Sequence, residues 1–227
     1  MRILVICGDY WHPKASIVEG LESILKQVGD VKFISEQTEI ESEDIKSYDL
    51  LIITKADELA PERYFVWKTE KIQKTIQAYV ENGGGLLVLH AGTVSGAEAE
   101  IYGLLIGTRF SYHPKASLVH VAPLKPHPIS EGVTAFAEVD EHYWLEILRD
   151  DIDILFASTT HAQGCVEKYE SEPYENYPTI IHASGYTRTQ GKGRICVLTP
   201  GHFLPVWRNE NYIKTIKNAI KWLTPTS

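Results

Sequence analysis

The sequence predicts an α/β fold built on a doubly wound, mostly parallel sheet, and three observations carry that prediction. Apolar runs of strand length alternate with amphipathic helical stretches through the first half of the 227-residue chain, the pattern of βαβ units. Those runs are apolar at consecutive positions, as strands covered on both faces require. Gly83-Gly84-Gly85 precedes Leu86-Leu87-Val88-Leu89-His90, and Gly92 follows two residues later. Such spacing suits a sharp turn that presents one side chain at the carboxyl end of a strand.

Taken in order, residues 2–7 read as a buried strand. Ile17, Val18, Leu21, Ile24, Leu25 and Val28 recur with helical period and end at Gly29, a C-terminal cap. Val31 to Ser35 is a second strand and Tyr48 to Thr54 a third. Ile72, Ile76, Tyr79 and Val80 mark a helix stopped by Asn82 and the glycines. Residues 86–90 are the fourth strand and 97–106 a short helix. In the second half, Ser117–Val121, Ile154–Ala157, Thr179–Ala183 and Arg194–Thr199 read as strands, with Gln190-Gly191-Lys192-Gly193 a turn between the last two. Pro123, Pro126, Pro128 and Gly132 give residues 123–150 the character of loops over the sheet. Ile213, Ile216, Ile220 and Leu223 form a closing helix stopped by Pro225. With no repeat, low-complexity tract or linker, residues 1–227 read as one domain.

Hydrophobic residues make up 44% and charged residues 23%, so a packed core is expected. The net charge of −8 disfavours a broad nucleic-acid surface, which needs clustered Lys and Arg. No apolar run has the length of a bilayer span, and residues 3–7 are too short for a signal h-region. Cys7, Cys165 and Cys196 are odd in number and lack zinc-ribbon spacing. A soluble cytoplasmic protein is the economical reading. Acidic domains of this size often self-associate, although no stripe specifies an interface.

The chemistry concentrates on histidine. His90 ends one strand, and His202 lies just beyond another in Thr199-Pro200-Gly201-His202. If both strands run parallel, their tips meet over one edge and the two imidazoles can hold zinc, the first choice, or a similar divalent ion. Otherwise each is a hydrogen-bonded structural residue. Asp140-Glu141-His142-Tyr143-Trp144 is read as extended, so Asp140 and His142 face one side while Glu141 and Tyr143 face the other. Glu141 is the preferred general base or third ligand, with Asp140 an acceptor behind it.

Gly8-Asp9-Tyr10-Trp11-His12-Pro13 follows the first strand and should reach the same edge. It lacks the glycines of a dinucleotide fingerprint, so neither nucleotide nor flavin is expected. Asp9, Trp11 and His12 could line a sugar pocket, the aromatic face packing on the ring and the carboxylate accepting from hydroxyls. The alternative is a loop whose Trp11 plugs the core. His113, after Phe110 and Tyr112, is a further site candidate; His127 before Pro128 reads as structural. Gly191-Lys192-Gly193 opens no helix and is a turn rather than a phosphate loop. No nucleophilic triad stands out. Cys7 and Cys196 fall inside buried strands, and Cys165 is the one thiol in a loop.

Four segments give the chain a resemblance to the ThuA-like, trehalose-utilisation family: Gly83 to Ala91, Arg109 to Pro114, His127-Pro128-Ile129 through Asp140-Glu141-His142-Tyr143, and Gly191-Lys192-Gly193-Arg194 through Gly201-His202-Phe203 to Trp207. That family is similar in fold to class I glutamine amidotransferases, a flavodoxin-like three-layer sandwich. In those enzymes the elbow bears a nucleophilic cysteine and a late histidine is its base. The resemblance puts His90 and His202 in these places, so thioester-forming glutamine hydrolysis is not expected. It implies instead a role in catabolism of trehalose or a related disaccharide through 3-keto sugars, beside an oxidoreductase partner. His90, His202 and Glu141 are then the expected catalytic residues. Asp9, Trp11, His12, His113, Tyr143 and Trp207 are the expected substrate contacts. The competing expectation is a non-catalytic sugar-binding subunit of a sugar oxidoreductase.

Overall fold

A computed structural model describes residues 1–60, 63–161 and 179–225 of the chain. The first half alternates strand and helix as the sequence predicts, with α2 and the β4–β5 ribbon as elements it did not foresee: β1 (Arg2–Cys7), α1 (Lys14–Leu25), β2 (Asp30–Ile34), α2 (Gln37–Ser42), β3 (Leu50–Thr54), a small ribbon β4 (Glu58–Ala60) and β5 (Arg63–Phe65), α3 (Glu70–Glu81), β6 (Gly85–Leu89) and α4 (Glu100–Ile106). The second half is β7 (Thr108–Tyr112), β8 (Ser117–Pro123), β9 (Phe136–Asp140), β10 (Trp144–Ile147), β11 (Asp153–His161), β12 (Thr179–Gln190), β13 (Gly193–Leu198), α5 (Leu204–Arg208) and α6 (Glu210–Leu223).

Nine strands share one sheet in the order β2-β1-β3-β6-β13-β12-β11-β8-β9. From β2 to β13 neighbours are parallel, the flavodoxin-like order in which ligands sit at the carboxyl edge. From β13 to β9 they are antiparallel. Strands β1, β3, β6 and β13 supply alternate residues to two cores. Ile3, Val5, Leu87 and Leu89 pack with α1, α5 and α6 on one face, while Leu4, Ile6, Leu86 and Val88 pack with α3 and α4 on the other. Burial on both faces is why these strands read as unbroken apolar runs.

Several boundaries differ from expectation. Helix α1 ends at Leu25 and is capped by Lys26, whose N–H reaches the Glu22 carbonyl, so Gly29 is not the cap. Residues 97–99 form a separate 3₁₀ turn before α4. The 123–150 segment is not all loop, because β9 joins the main sheet and β10 pairs antiparallel with β7. Its prolines sit before β9, leaving the later residues free to donate to a ladder. Cys165 lies outside the described residues. Among the described residues no helix is long and apolar enough to cross a membrane.

Candidate functional site

Four chain segments converge at the carboxyl edge where β1, β6 and β13 end. The apolar run of β6 stops at Leu89, and His90 opens a 3₁₀ turn with φ of 42°. That left-handed geometry is costly for a residue with a Cβ. The turn presses against β3 so closely that a side chain at Gly92 would collide with the Ile53 carbonyl. His90 is thereby held at the strand tip, 1% exposed. Its Nδ1–H donates to the Thr199 carbonyl at 2.7 Å, leaving the Nε2 lone pair aimed at the cleft.

The β1 loop brings His12. Asp9 organises it by accepting from the backbone N–H of Trp11 and His12 and from His12 Nδ1–H at 2.8 Å. Its other oxygen accepts from Ala56 N–H, beyond β3. Burial would raise the Asp9 carboxyl, but the His12 side chain together with the backbone N–H groups of Ala56 and His12 outweighs it and lowers the group below the usual range. With Nδ1 engaged by Asp9, Nε2 is the His12 ring nitrogen left without a hydrogen bond.

Glu141 and His202 complete the cluster. Strand β9 lies in the main sheet and β10 in the ribbon with β7, so residues 141–143 must cross between them over the sheet edge. Asp140 and Glu141 diverge as extended backbone demands. Asp140, buried, accepts from Gly201 and His202 N–H at 2.8 and 2.9 Å and fixes the turn that carries His202. Burial raises its carboxyl above the ordinary value. Glu141 Oε2 is 3.1 Å from His202 Nδ1 and 3.5 Å from His90 Nε2, while Oε1 is 3.5 Å from His113 Nε2. Burial opposes ionisation of Glu141, but the close approach of the His202 and His90 imidazoles prevails and holds it well below the carboxylate range. His90 is lowered by desolvation; at His202 the same penalty is exceeded by the combined pull of Glu141, Asp140 and Asp9, and its pKa rises.

His12, His90, Glu141 and His202 each offer one ligand atom, all within 4.8 Å of one another. His12 Nε2, His90 Nε2 and His202 Nδ1 are buried ring nitrogens without an aligned hydrogen bond. Three imidazole nitrogens and one carboxylate oxygen form a donor set suited to zinc or a similar divalent ion. Asp9 and the Thr199 carbonyl serve as the outer acceptors that fix ligand tautomers. The set fits such an ion.

The remaining expected site residues divide. Tyr143 stacks on His90 with ring centroids 4.0 Å apart, backed by Phe110 at 4.5 Å. His113 stands at the mouth, its Nδ1–H donating to the Pro114 carbonyl. Trp11 does not plug the core: it is 54% exposed and edge-on to Tyr10. Trp207 is the correction. It is 2% exposed and packs under Gly20 and Gly201 in the core, because α5 turns its apolar face inward. It supports the turn before His202 and cannot wall a pocket. His127 caps the 3₁₀ turn at 128–130, as a structural residue would. Sequence reading took His12 for a sugar contact and gave Thr199 no part. The Asp9-x-x-His12 spacing beside a strand end was the available signal for the first; a backbone carbonyl leaves none.

Comparison with known proteins agrees with this architecture. A ThuA-like protein from Parabacteroides merdae superposes with a TM-score of 0.76 at 16% identity, covering 99% of this chain and 90% of that one. One from Bacteroides uniformis gives 0.72 at 14% identity, covering 98% and 91%. A glutamine amidotransferase from Thermotoga maritima gives 0.57 at 12% identity, covering 100% and 99%. These likenesses show a shared amidotransferase-like fold. None of the curated proteins matches the sequence. The family described as "ThuA: Trehalose utilisation" matches residues 2–223, and the chain belongs to that family.

Proposed function

We propose that this protein is an enzyme of disaccharide catabolism that moves a proton on a keto sugar derived from trehalose or a related disaccharide, with a divalent ion, zinc first, held by His12, His90, His202 and Glu141. The observation that carries the reading is the set of three buried ring nitrogens, none with an aligned hydrogen bond, gathered around one carboxylate. Nitrogen lone pairs buried without donors are costly unless something binds them.

The ion would supply Lewis acidity toward a sugar carbonyl. Glu141 divides its labour: Oε2 faces His90 and His202, while Oε1 faces His113. A carboxylate held ionised can take the proton from a carbon beside a ketone, with His113 next in line at the open side. The electron pair left on that carbon can expel a leaving group one carbon further on, which opens glycoside cleavage as well as isomerisation or hydration. Tyr143 covers His90 from water, and exposed Trp11 offers a face to a pyranose ring.

The test is turnover of 3-keto-trehalose by His90→Ala and His202→Ala, with metal content measured on the same samples. Loss of about 10–100-fold or more in each is expected. Full activity in both variants removes the proposal. Sugar binding without chemical change, unaffected by chelation, would identify a binding subunit of an oxidoreductase instead.

A further inference from the structure

Exposed aromatic rings gather around the histidine cluster. Among the described residues the exposed Tyr, Trp and Phe side chains are Tyr10, Trp11, Phe65, Tyr112 and Phe203. All but Phe65 lie within two positions of His12, His113 or His202 in the chain. Apolar side chains scattered singly over a surface need no explanation, but a group around one site does. These rings fall on two sides of Glu141. Tyr10, Trp11 and Phe203 flank His12 and His202, whose rings are 5.0 Å apart, and His202 meets Oε2. Tyr112 stands on the other side, beside His113, which meets Oε1.

A run of roughly aligned rings leads out to Tyr112. Tyr143 stacks on His90, His113 lies at 17° to Tyr143, and Tyr112 at 22° to His113. Tyr143 is buried, whereas Tyr112 at the far end is 42% exposed. Neighbours hold the Tyr112 ring in place. It pairs directly with Trp144 across the β7–β10 ribbon, so the two share a face. Their rings meet edge-on at 5.1 Å, and Trp144 is itself stacked on His182 at 5.0 Å. A ring fixed beforehand loses little freedom when a ligand covers it.

The chemistry of the keto-sugar reading, on which this inference rests, decides what covers Tyr112. Oε1 of Glu141 takes the proton from the carbon beside the ketone. The C–H pair becomes a C=C bond, and the C–O bond one carbon further on breaks. Its pair leaves on the glycosidic oxygen, which takes a proton from water at the mouth. Ketone, deprotonated carbon and departing oxygen are therefore consecutive around the sugar ring. With the carbonyl toward the four-residue cluster and the C–H at Oε1, the departing oxygen points past His113. The sugar attached to it then reaches Tyr112. We infer that Tyr112 is the platform for the departing, unoxidised ring of the disaccharide, a neutral pyranose whose C–H face packs on the phenol ring.

Isothermal titration with trehalose and with methyl α-glucoside, which lacks the second ring, tests this without requiring turnover. The wild-type chain should bind trehalose about 3–10-fold more tightly, the worth of one aromatic stacking contact. Tyr112→Ala should erase that preference with unchanged circular dichroism, since the position is exposed. Tyr112→Phe keeps the ring and should retain it, which separates stacking from any role of the hydroxyl. Trp11→Ala should weaken both ligands. Equal affinities in the wild type, a preference that survives Tyr112→Ala, or binding of neither sugar overturns the inference. Turnover of 3-keto-trehalose distinguishes the two levels of the argument. If Tyr112→Ala loses the preference while the wild type turns over no keto sugar, the catalytic reading fails and the platform remains supported.

Discussion

His90 donates from Nδ1 to the carbonyl of Thr199, 109 residues later in the chain, at 2.7 Å. That bond ties the tip of β6 to the end of β13 and chooses the tautomer of His90. Because β13 pairs parallel with β6 from Arg194–Gly85 to Leu198–Leu89, Thr199 follows the last paired residue just as His90 does. Sheet register thus decides which ring nitrogen faces the cleft.

Asp9 does the corresponding work for His12. Asp9→Asn should lower zinc affinity by about 10–100-fold, the usual effect of losing an acceptor behind a ligand histidine, with little change in secondary structure. Isothermal titration of the apo protein with zinc checks it. Equal affinities would show that His12 is oriented without its carboxylate.

A buried ion pair braces the loops around the site. Lys68 Nζ is 3.3 Å from Asp57 Oδ1, both side chains fully buried, and donates to the Val94 carbonyl just beyond the His90 turn. Burial lowers its pKa to about 8 against the pull of Asp57. Asp57→Asn should cost about 3–5 kcal/mol, since an ammonium is left unpaired in the core. Adding Lys68→Met should recover part of that loss. Urea unfolding of the two singles and the double closes the cycle; a double variant as unstable as the summed singles would exclude coupling.

Asp151 gives a pH prediction. Arg149 and Arg188 beside it lower its carboxyl from 3.8 to about 2. A depressed acid adds stability that is complete above the unfolded value and vanishes as pH falls through the folded one. Wild type should therefore melt above Asp151→Asn at pH 6, and the gap should close between about pH 4 and 2. A gap constant down to pH 2 would refute the assignment. The side chain is 44% exposed, so the difference will be small.

Thiol chemistry at Cys7 and Cys196 should be muted. Cys7 and Cys196 are free and buried, and desolvation raises both, Cys7 to about 11. Ellman's reagent at pH 8 should label neither until denaturant is added, because the thiolate is the reactive form. Rapid labelling of Cys196 in the native protein would contradict its burial.

Strands β1, β3 and β6 were legible because residues buried on two faces leave an apolar signature that needs no partner to be read. The meeting of His90 and His202 was also foreseeable, since parallel strands end on a common edge; their rings are 5.6 Å apart. Strands β7, β9 and β10 were not, because one-sided strands such as Phe136-Ala137-Glu138-Val139-Asp140 mix apolar and charged residues and owe their order to neighbours far along the chain. Tertiary structure alone turned Trp207 into the core and gave His12 its Asp9 acceptor. Residue type sets what a side chain can do, whereas the direction of a ring nitrogen depends on hydrogen bonds made across the sheet.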